Sequence, residues 1–423
     1  MSGEASGNCL LIANIYAPIR GGSASVYATL AAHAPAGRMA VLASRHHYES
    51  DAEIPGWDQH DAGVTYPIER VRLLRPAEMP PPRNRLVSAL RFATIDLPLR
   101  IGVAWRTLSM IRRHRISVVC LGELNSLAWL GEVCRRLAGS KVVCYIHGEE
   151  ITTSMSQAGS FGLRRARTLQ RADAIIAVSR FTREALVAQM GVDPARICLL
   201  ENGVDTRRFA PGPVDEAFRA RHGLTGKRVV LEVGRLVPRK GFDRTVDAWP
   251  QILAAVPDAH LLIVGEGPLG PALRARAGQL GVADSITFAG ALDDADLLAA
   301  YRSADLFAMP NRTMPDGDTE GFGLVFLEAN ACGRAVVGGR AGGAVEAVRD
   351  GESGLLVESE QPENIARAII TLLTDDALRQ RLEAGGLRHA QANSWSHRIT
   401  TFTALCDSLV APRPKDVSAI QKS

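Results

Sequence analysis

The chain has no Cys-x-x-Cys pair and no uncharged apolar run of the ~18 residues that a membrane-spanning helix requires. Its seven cysteines are scattered and odd in number. That argues against a disulfide framework and a zinc site, and suits a reduced, cytosolic compartment. Met1 to Asn8 lack a basic n-region, and the apolar run Cys9–Ile15 is short, so it reads as a first strand and not as a signal peptide. Net charge is also small: 49 Lys+Arg against 45 Asp+Glu leave +4. The balance is uneven, with 26 basic and 18 acidic residues in 1–210 and 23 against 27 in the remainder. A basic front half suits an anionic partner such as a phosphate, a lipid head group or a nucleic acid; the plain alternative is a solvated arginine-rich surface.

What is present is ordinary for a globular protein. Hydrophobic residues make up 46% and charged residues 22%, and 423 residues at ~150 per domain suggest two to three domains. Apolar runs bounded by turn residues alternate with helix-period segments, which predicts parallel α/β sheets. In the front half the strands are read at Cys9–Ile15, Met39–Ala43, Ser117–Leu121, Lys141–Ile146, Ala174–Val178 and Ile197–Leu200. The pattern restarts at Arg228, with further strands at Arg228–Val233, His260–Val264, Ser285–Phe288, Leu306–Met309, Ala335–Gly338 and Gly354–Val357. The stretch Asp205–Asp215, with Pro211, Gly212 and Pro213, reads as a linker. The expected fold is α/β, two Rossmann-like doubly wound halves: residues 1–205 and residues 206–393, with an amphipathic helix at about 394–411 packing back on the first. The tail beyond Ala411 is polar and expected to fray.

Four groups of residues suit chemistry. Gly21-Gly22-Ser23 follows the first strand and opens a helical run. It would let backbone approach a ligand and offer helix N–H groups to an anion, although a plain turn explains it as well. Gly234-Arg235-Leu236-Val237-Pro238-Arg239-Lys240-Gly241 follows the first strand of the second half, where open α/β sheets bind ligands. Arg235 brings a planar fork of donors and Lys240 a point charge, both suited to a diphosphate. Glu320-Gly321-Phe322-Gly323-Leu324-Val325-Phe326-Leu327-Glu328 predicts a loop-to-helix transition near Phe322–Leu324 with amides aimed at an anion. A carboxylate beside those amides and a basic pair is expected to stay ionised. Glu328 falls inside an apolar helix, where a carboxylate without partners is costly. Lastly, His147 in His147-Gly148-Glu149-Glu150 stands at a strand's C-terminal end, placed to orient a hydroxyl or share a proton, though a lone histidine is more often structural.

These motifs resemble the retaining glycosyltransferases of family 4, which have the GT-B fold of two Rossmann-like domains facing each other across a cleft. The resemblance is clearest from Val229 to Val357. It rests on GRLVPRKG, on LLIVGEGP at Leu261–Pro268, on ADLFAMP at Ala304–Pro310 and on EGFGLVFLEA with its two spaced glutamates. ENGVD at Glu201–Asp205 and the GGS and HGEE segments agree with it, while Arg45–Arg115 adds nothing. The resemblance implies that Arg235 and Lys240 bind the donor diphosphate, beside Gly234. Glu328 would bind the ribose and Glu320 the transferred sugar. Amides of Gly321, Phe322, Gly323, Leu324 and Val325 would hold sugar and phosphate, and Ala291 and Leu292 would meet the base. It places His147 at the reaction centre and Gly21, Gly22 and Ser23 on the acceptor side, with Gly22 also near the donor phosphate. It implies no metal and no cofactor beyond the nucleotide sugar, and no nucleic-acid partner. Within the family the motifs lean towards bacterial GDP-mannose-dependent lipid or polysaccharide mannosyltransferases, with UDP-hexoses as alternative donors and a lipid-linked or saccharide acceptor. Retention would proceed by front-face departure and attack, the leaving phosphate taking the acceptor's proton.

Other classes fit less well. A dehydrogenase should open its first helix with G-x-G-x-x-G, which Gly21-Gly22-Ser23 does not supply. An epimerase of the same fold would turn over donor without acceptor, and a silent sugar-binding relative would not keep Glu320, Glu328, Arg235 and Lys240 together. One segment of the front half needs a separate reading. Arg83–Arg115 interleaves eight arginines with apolar residues from Leu86 to Ile111 and holds one acid, Asp96. As a helix broken near Pro98, it would either rest on an anionic membrane surface or cover the sheet. The location expected is cytoplasmic, with peripheral attachment at the inner face of the plasma membrane in the first case.

Overall fold

A computed structural model describes residues 7–19, 21–77, 84–152 and 159–411. Two all-parallel sheets divide the chain. The first contains β1 (Cys9–Ala13), β2 (Met39–Ser44), β3 (Ile68–Val71), β4 (Val118–Leu121), β5 (Lys141–Ile146), β6 (Ala174–Ala177) and β7 (Ile197–Leu199). Its order is β3-β2-β1-β4-β5-β6-β7. The second contains β8 (Arg228–Val233), β9 (Ala259–Val264), β10 (Ile286–Gly290), β11 (Leu306–Met309), β12 (Ala335–Gly339) and β13 (Gly354–Val357), in the order β10-β9-β8-β11-β12-β13. In each the chain starts at a central strand, winds outward, returns and winds the other way. The crevice between β1 and β4, and that between β8 and β11, are the switch points where such sheets bind ligands.

The central strands are apolar on both faces because helices cover both; every residue of β1, β2, β4 and β9 is buried. One apolar cluster runs from Leu11 and Tyr27 through Val204, Trp395 and Phe402 to Leu231 and Phe307, so it joins one face of each sheet. The opposite faces have separate clusters, around Ile12 and Leu127 in the first and Trp249 and Ile263 in the second. The chain crosses between sheets at Val204, whose amide bonds the Asn393 carbonyl at 3.0 Å while its own carbonyl accepts from Trp395 N–H at 3.2 Å. The final helix, Trp395–Val410, then packs against the helix Gly22–His33. It is pinned there by Asp407, which pairs with Arg38 at 2.6 Å. Residues 412–423, the expected frayed tail, lie outside the described residues.

Strand β3 and the helix Trp57–Gly63 are additions to the sequence reading. β3 is an edge strand of four half-buried residues, Ile-Glu-Arg-Val, too short and too polar to stand out. The arginine-rich segment also differs from expectation. It is not broken at Pro98. The helix Arg85–Arg91 continues through a π turn at Phe92–Asp96 into the helix Leu97–Arg113. The Leu97 amide reaches back to the Phe92 carbonyl, and that wider turn admits a proline near the start of the second helix, where its missing N–H costs little. Arg83 and the side chain of Arg85 lie outside what is described.

Candidate active site

Each switch point delivers a short loop to the space between the sheets. After β8, Gly234 takes φ +155° and the chain passes Arg235 to a 3₁₀ turn at Pro238–Lys240, closed by Gly241 at φ +83°. A side chain at Gly241 would lie 2.1 Å from the Pro310 carbonyl oxygen, so only glycine lets this loop rest on the end of β11. Lys240 is thereby aimed at Glu320, and its Nζ lies 2.5 Å from the carboxylate. Arg239 pairs with Asp318 at 3.1 Å, so the Asp316-Gly317-Asp318 turn is tied to protein cations. Arg235 remains exposed, the guanidinium of this loop best placed for an incoming anion.

Glu320 and Glu328 stand in different electrostatic environments. Burial alone would raise the Glu320 pKa, but the Lys240 ammonium, then Arg239 and the Phe322 amide, hold it below the ordinary carboxylate range. It is therefore ionised, as expected. Glu328 departs from that pattern. Burial raises its pKa, and a hydrogen bond from Tyr301 at 2.7 Å with the more distant Arg208 and Lys240 offsets this only in part. Glu328 lies within the helix Leu324–Ala331, which is preceded by Gly323 at φ +93°. The Phe326 amide bonds back to the Gly323 carbonyl at 3.1 Å, and the amides of Leu324 and Val325 before it have no preceding helical carbonyl to bond.

The Gly265–Gly270 segment after β9 does carry G-x-G-x-x-G spacing, but its glycines serve loop packing. A Cβ on Gly265 would lie 2.0 Å from the Gly234 carbonyl oxygen, and one on Gly267 2.6 Å from Leu236 backbone. Ala291 and Leu292, just beyond β10, are exposed and half-buried respectively.

From the first sheet come the β1 loop and the end of β5. Gly21 and Gly22 both take positive φ, with nothing within 4 Å of a Cβ placed there, and the helix begins at Gly22 with Ser23 in its first turn. The loop before them is held by Glu123, which accepts from Asn14 at 2.5 Å and from the Ile15 amide at 3.0 Å. Arg70 braces it from β3, bound to Asp61 at 2.8 Å and to the Ala17 carbonyl. His147 ends β5. Its Nε2 lies 2.8 Å from the Tyr27 hydroxyl, and its ring stacks on Tyr145 at 5.0 Å. Burial pushes its pKa down to about 4, so the imidazole is neutral.

The two halves touch through backbone. A Cβ on Gly321 would sit 1.9 Å from the His147 carbonyl oxygen, and one on Gly148 would sit 3.4 Å from the Gly321 Cα. Beside this contact Glu346, on the short helix Ala344–Ala347, accepts from the amides of Arg180 at 2.8 Å and Phe181 at 3.1 Å. It caps a helix of the other half, a favourable place for a carboxylate. The structure thus brings together His147, Lys240, Glu320, Gly321 and the helix at Leu324, with Arg235, Glu328 and the Gly21-Gly22 turn on the loops around them. Tyr27, Tyr301 and Glu346 are additions. A tyrosine amid an apolar helix and a glutamate on a four-residue helix give no signal in the sequence.

Two Rossmann-like domains, with a basic loop after the first strand of the second, belong to the class of α/β proteins that bind ligands at the carboxyl ends of their strands. Residues 21–208 match the family model described as Glycosyltransferase Family 4, and residues 214–389 match that described as Glycosyl transferases group 1. The chain belongs to glycosyltransferase family 4, and is a retaining hexosyltransferase of the GT-B fold. It is 40% identical over 298 residues, 70% of this chain and 77% of the relative, to a GDP-mannose-dependent alpha-(1-6)-phosphatidylinositol monomannoside mannosyltransferase of Mycolicibacterium smegmatis. A protein of that description from Mycobacterium tuberculosis is 39% identical over 67% of this chain and 71% of its own. Among solved structures, Anabaena HepE in complex with UDP and glucose superposes with a TM-score of 0.74 at 22% identity, over 96% of this chain and all of that one. The sucrose-phosphate synthase of Thermosynechococcus elongatus gives 0.72 at 23% identity, over 95% and 98%. Both share the fold.

Proposed function

We propose that this transferase moves mannose from GDP-mannose to a phosphatidylinositol-linked mannoside or a similar lipid-linked glycan, at the inner face of the plasma membrane. The observation that carries it is the 40% identity over 298 residues to a mannosyltransferase of that specificity. In this reading Arg235 and Lys240 neutralise the donor diphosphate beside Gly234, with the amides of Gly321 to Val325 completing the cradle. Fixed donors facing the charge of a departing phosphate are typically worth a few kcal/mol each to the transition state. Glu328 takes the ribose, Glu320 the transferred sugar, Ala291 and Leu292 the base, and Gly21, Gly22 and Ser23 the acceptor side. The donor phosphate leaves from the face that the acceptor attacks and accepts its proton. No divalent metal takes part, so transfer survives EDTA. The test is product formation from GDP-mannose, UDP-glucose and UDP-galactose with phosphatidylinositol mannoside in vesicles. Transfer from a UDP sugar alone would refute the donor, and turnover without acceptor would favour an epimerase.

Attachment to an anionic membrane is part of this proposal. Eight of the twelve large apolar side chains exposed among the described residues lie on one arm, Leu86 to Trp105. Leu86 is 82% and Trp105 66% exposed, while Val103, Met110 and Ile111 face the sheet. Among the described residues no helix is long and apolar enough to cross a membrane, and an exposed apolar face flanked by arginines suits lying on one. Co-sedimentation with anionic vesicles should exceed that with neutral ones and weaken with salt.

A further inference from the structure

Tyr27 lies in the helix that starts at the Gly21-Gly22 turn, and its hydroxyl meets two groups at the ends of neighbouring strands. A phenol has one proton to give. Here it goes to the carbonyl of Gly122, just beyond β4, in a buried hydrogen bond. A buried carbonyl stripped of its donor is costly, so the proton stays there. The other neighbour of the same oxygen is Nε2 of His147, at 2.8 Å. With the tyrosine proton already committed, Nε2 must donate. A neutral imidazole carries one proton, so Nδ1 is left as a lone-pair acceptor. Burial keeps the ring neutral, down to about 4, and raises the Tyr27 hydroxyl so that it stays protonated. The ring is clamped by Tyr145, stacked at 5.0 Å, and by the edge of Tyr27 at 5.2 Å. A flipped ring would forfeit the bond to Tyr27.

We propose that Tyr27 is a positioning residue: it fixes the His147 proton on Nε2 and so presents Nδ1 as an acceptor to one hydroxyl of the transferred sugar. The ligand half rests on the transferase reading; the tautomer half does not. A site built this way requires a donor hydroxyl at that position, because an acceptor or an apolar group there leaves a buried lone pair unmatched.

Nitrogen NMR of the full chain with labelled histidine reads the tautomer, the His147 signal being the one missing from His147→Gln. The wild type should show only the Nε2–H form. Tyr27→Phe, which keeps the ring and its packing, should show a mixture. An Nδ1–H or mixed form in the wild type overturns the proposal whatever the substrate is, and needs no variant that might misfold. Kinetics with a panel of monodeoxy GDP-mannose donors tests the ligand half. Tyr27→Phe should lower kcat by about ten-fold, the scale of one hydrogen bond, and shrink the penalty for removing one hydroxyl only. An equal loss across the panel would make Tyr27 merely structural and overturn its assignment. If GDP-mannose is not turned over at all, the transferase reading is what fails, and the NMR result still decides the tautomer.

Discussion

Replacing Gly321 by alanine adds one methyl group where the two domains meet. The backbone at Gly321 is outside the left-handed region, so alanine is not strained by its own φ, and the cost is the contact alone. The new Cβ would lie 1.9 Å from the His147 carbonyl oxygen, whereas Cβ atoms essentially never come closer than 3.0 Å to a neighbour, so the loops must part by at least about 1.1 Å. Neither is a flexible side chain: one wall is the end of β5, the other the turn that carries Glu320 and opens the helix at Leu324. Separating the domains at this point moves His147 away from Lys240 and Glu320. A misplacement of ~1 Å in an active site can cost about 10²-fold in rate. The expected outcome is therefore a fall in kcat of that order, with nucleoside diphosphate affinity nearly kept because the charged groups proposed for it, Arg235, Lys240 and Glu328, sit on one side of the contact. The melting temperature should move little, since neither core is touched. Gly278→Ala, where nothing lies within 4 Å of the added carbon, is the control. Calorimetry with GDP alongside steady-state transfer separates the outcomes. Wild-type kcat in Gly321→Ala, or loss of GDP binding in step with kcat, would refute the reasoning.

Lys240→Ala and Arg235→Ala should differ in stability although both weaken donor binding. Removing Lys240 leaves the buried Glu320 carboxylate without its cation, at a cost of about 1–3 kcal/mol, whereas the exposed Arg235 can be lost with an unchanged melting temperature; equal melting temperatures would contradict the ion pair. Glu328→Ala should weaken binding of bare GDP, and Glu320→Ala should impair transfer while sparing it; calorimetry showing equal losses would refute the division. The His147 pKa is lowered from 6.5 to about 4, so between those values the unfolded chain binds more protons and stability rises with pH. The acid limb of kcat/KM from this group should fall near its folded value of about 4, and an inflection near 6.5 that His147→Gln removes would refute the assignment.

What the sequence made legible was local. Glycines and charges directly after a strand sit at its C-terminal end whatever the rest of the fold does, so Gly234, Arg235, Lys240 and His147 could be placed from the alternation of strands and helices. The loop-to-helix step at Gly323 was equally visible, because a glycine before an apolar helix is a local feature. Partners from distant segments were not. Glu328 is held by Tyr301, one helix and one strand earlier, and no spacing rule couples a buried tyrosine to a glutamate 27 residues on. That is also why the two glutamates, alike in sequence, have pKa values shifted in opposite directions: one meets a lysine and the other a phenol. G-x-G-x-x-G at Gly265–Gly270 is the converse case: its spacing can be read locally, but the close packing of Gly265 and Gly267 on the Gly234–Leu236 loop cannot.

The arginine-rich arm shows the same limit on a larger scale. Alternating arginines and apolar residues satisfy both a membrane-facing and a sheet-covering helix, and the structure divides the segment between the two. Val103, Met110 and Ile111 complete the core over β1, β2 and β4; from Leu86 to Leu97 no large apolar side chain whose exposure is described is buried. The change falls after the π turn, within the helix Leu97–Arg113, where Ile101 and Trp105 stay exposed while Val103, Met110 and Ile111 are buried on the other face. Glu69 on the edge strand β3 ties down Arg106 at 3.2 Å and Arg113 at 2.5 Å, so those two cations are partly neutralised by the protein. Membrane affinity, if the arm supplies it, therefore comes mainly from the apolar face of Leu86, Leu90, Ile101 and Trp105. Replacing Leu86, Leu90 and Trp105 by serine should then release the protein from anionic vesicles more fully than replacing Arg112 and Arg113, and the opposite ranking would make the attachment electrostatic.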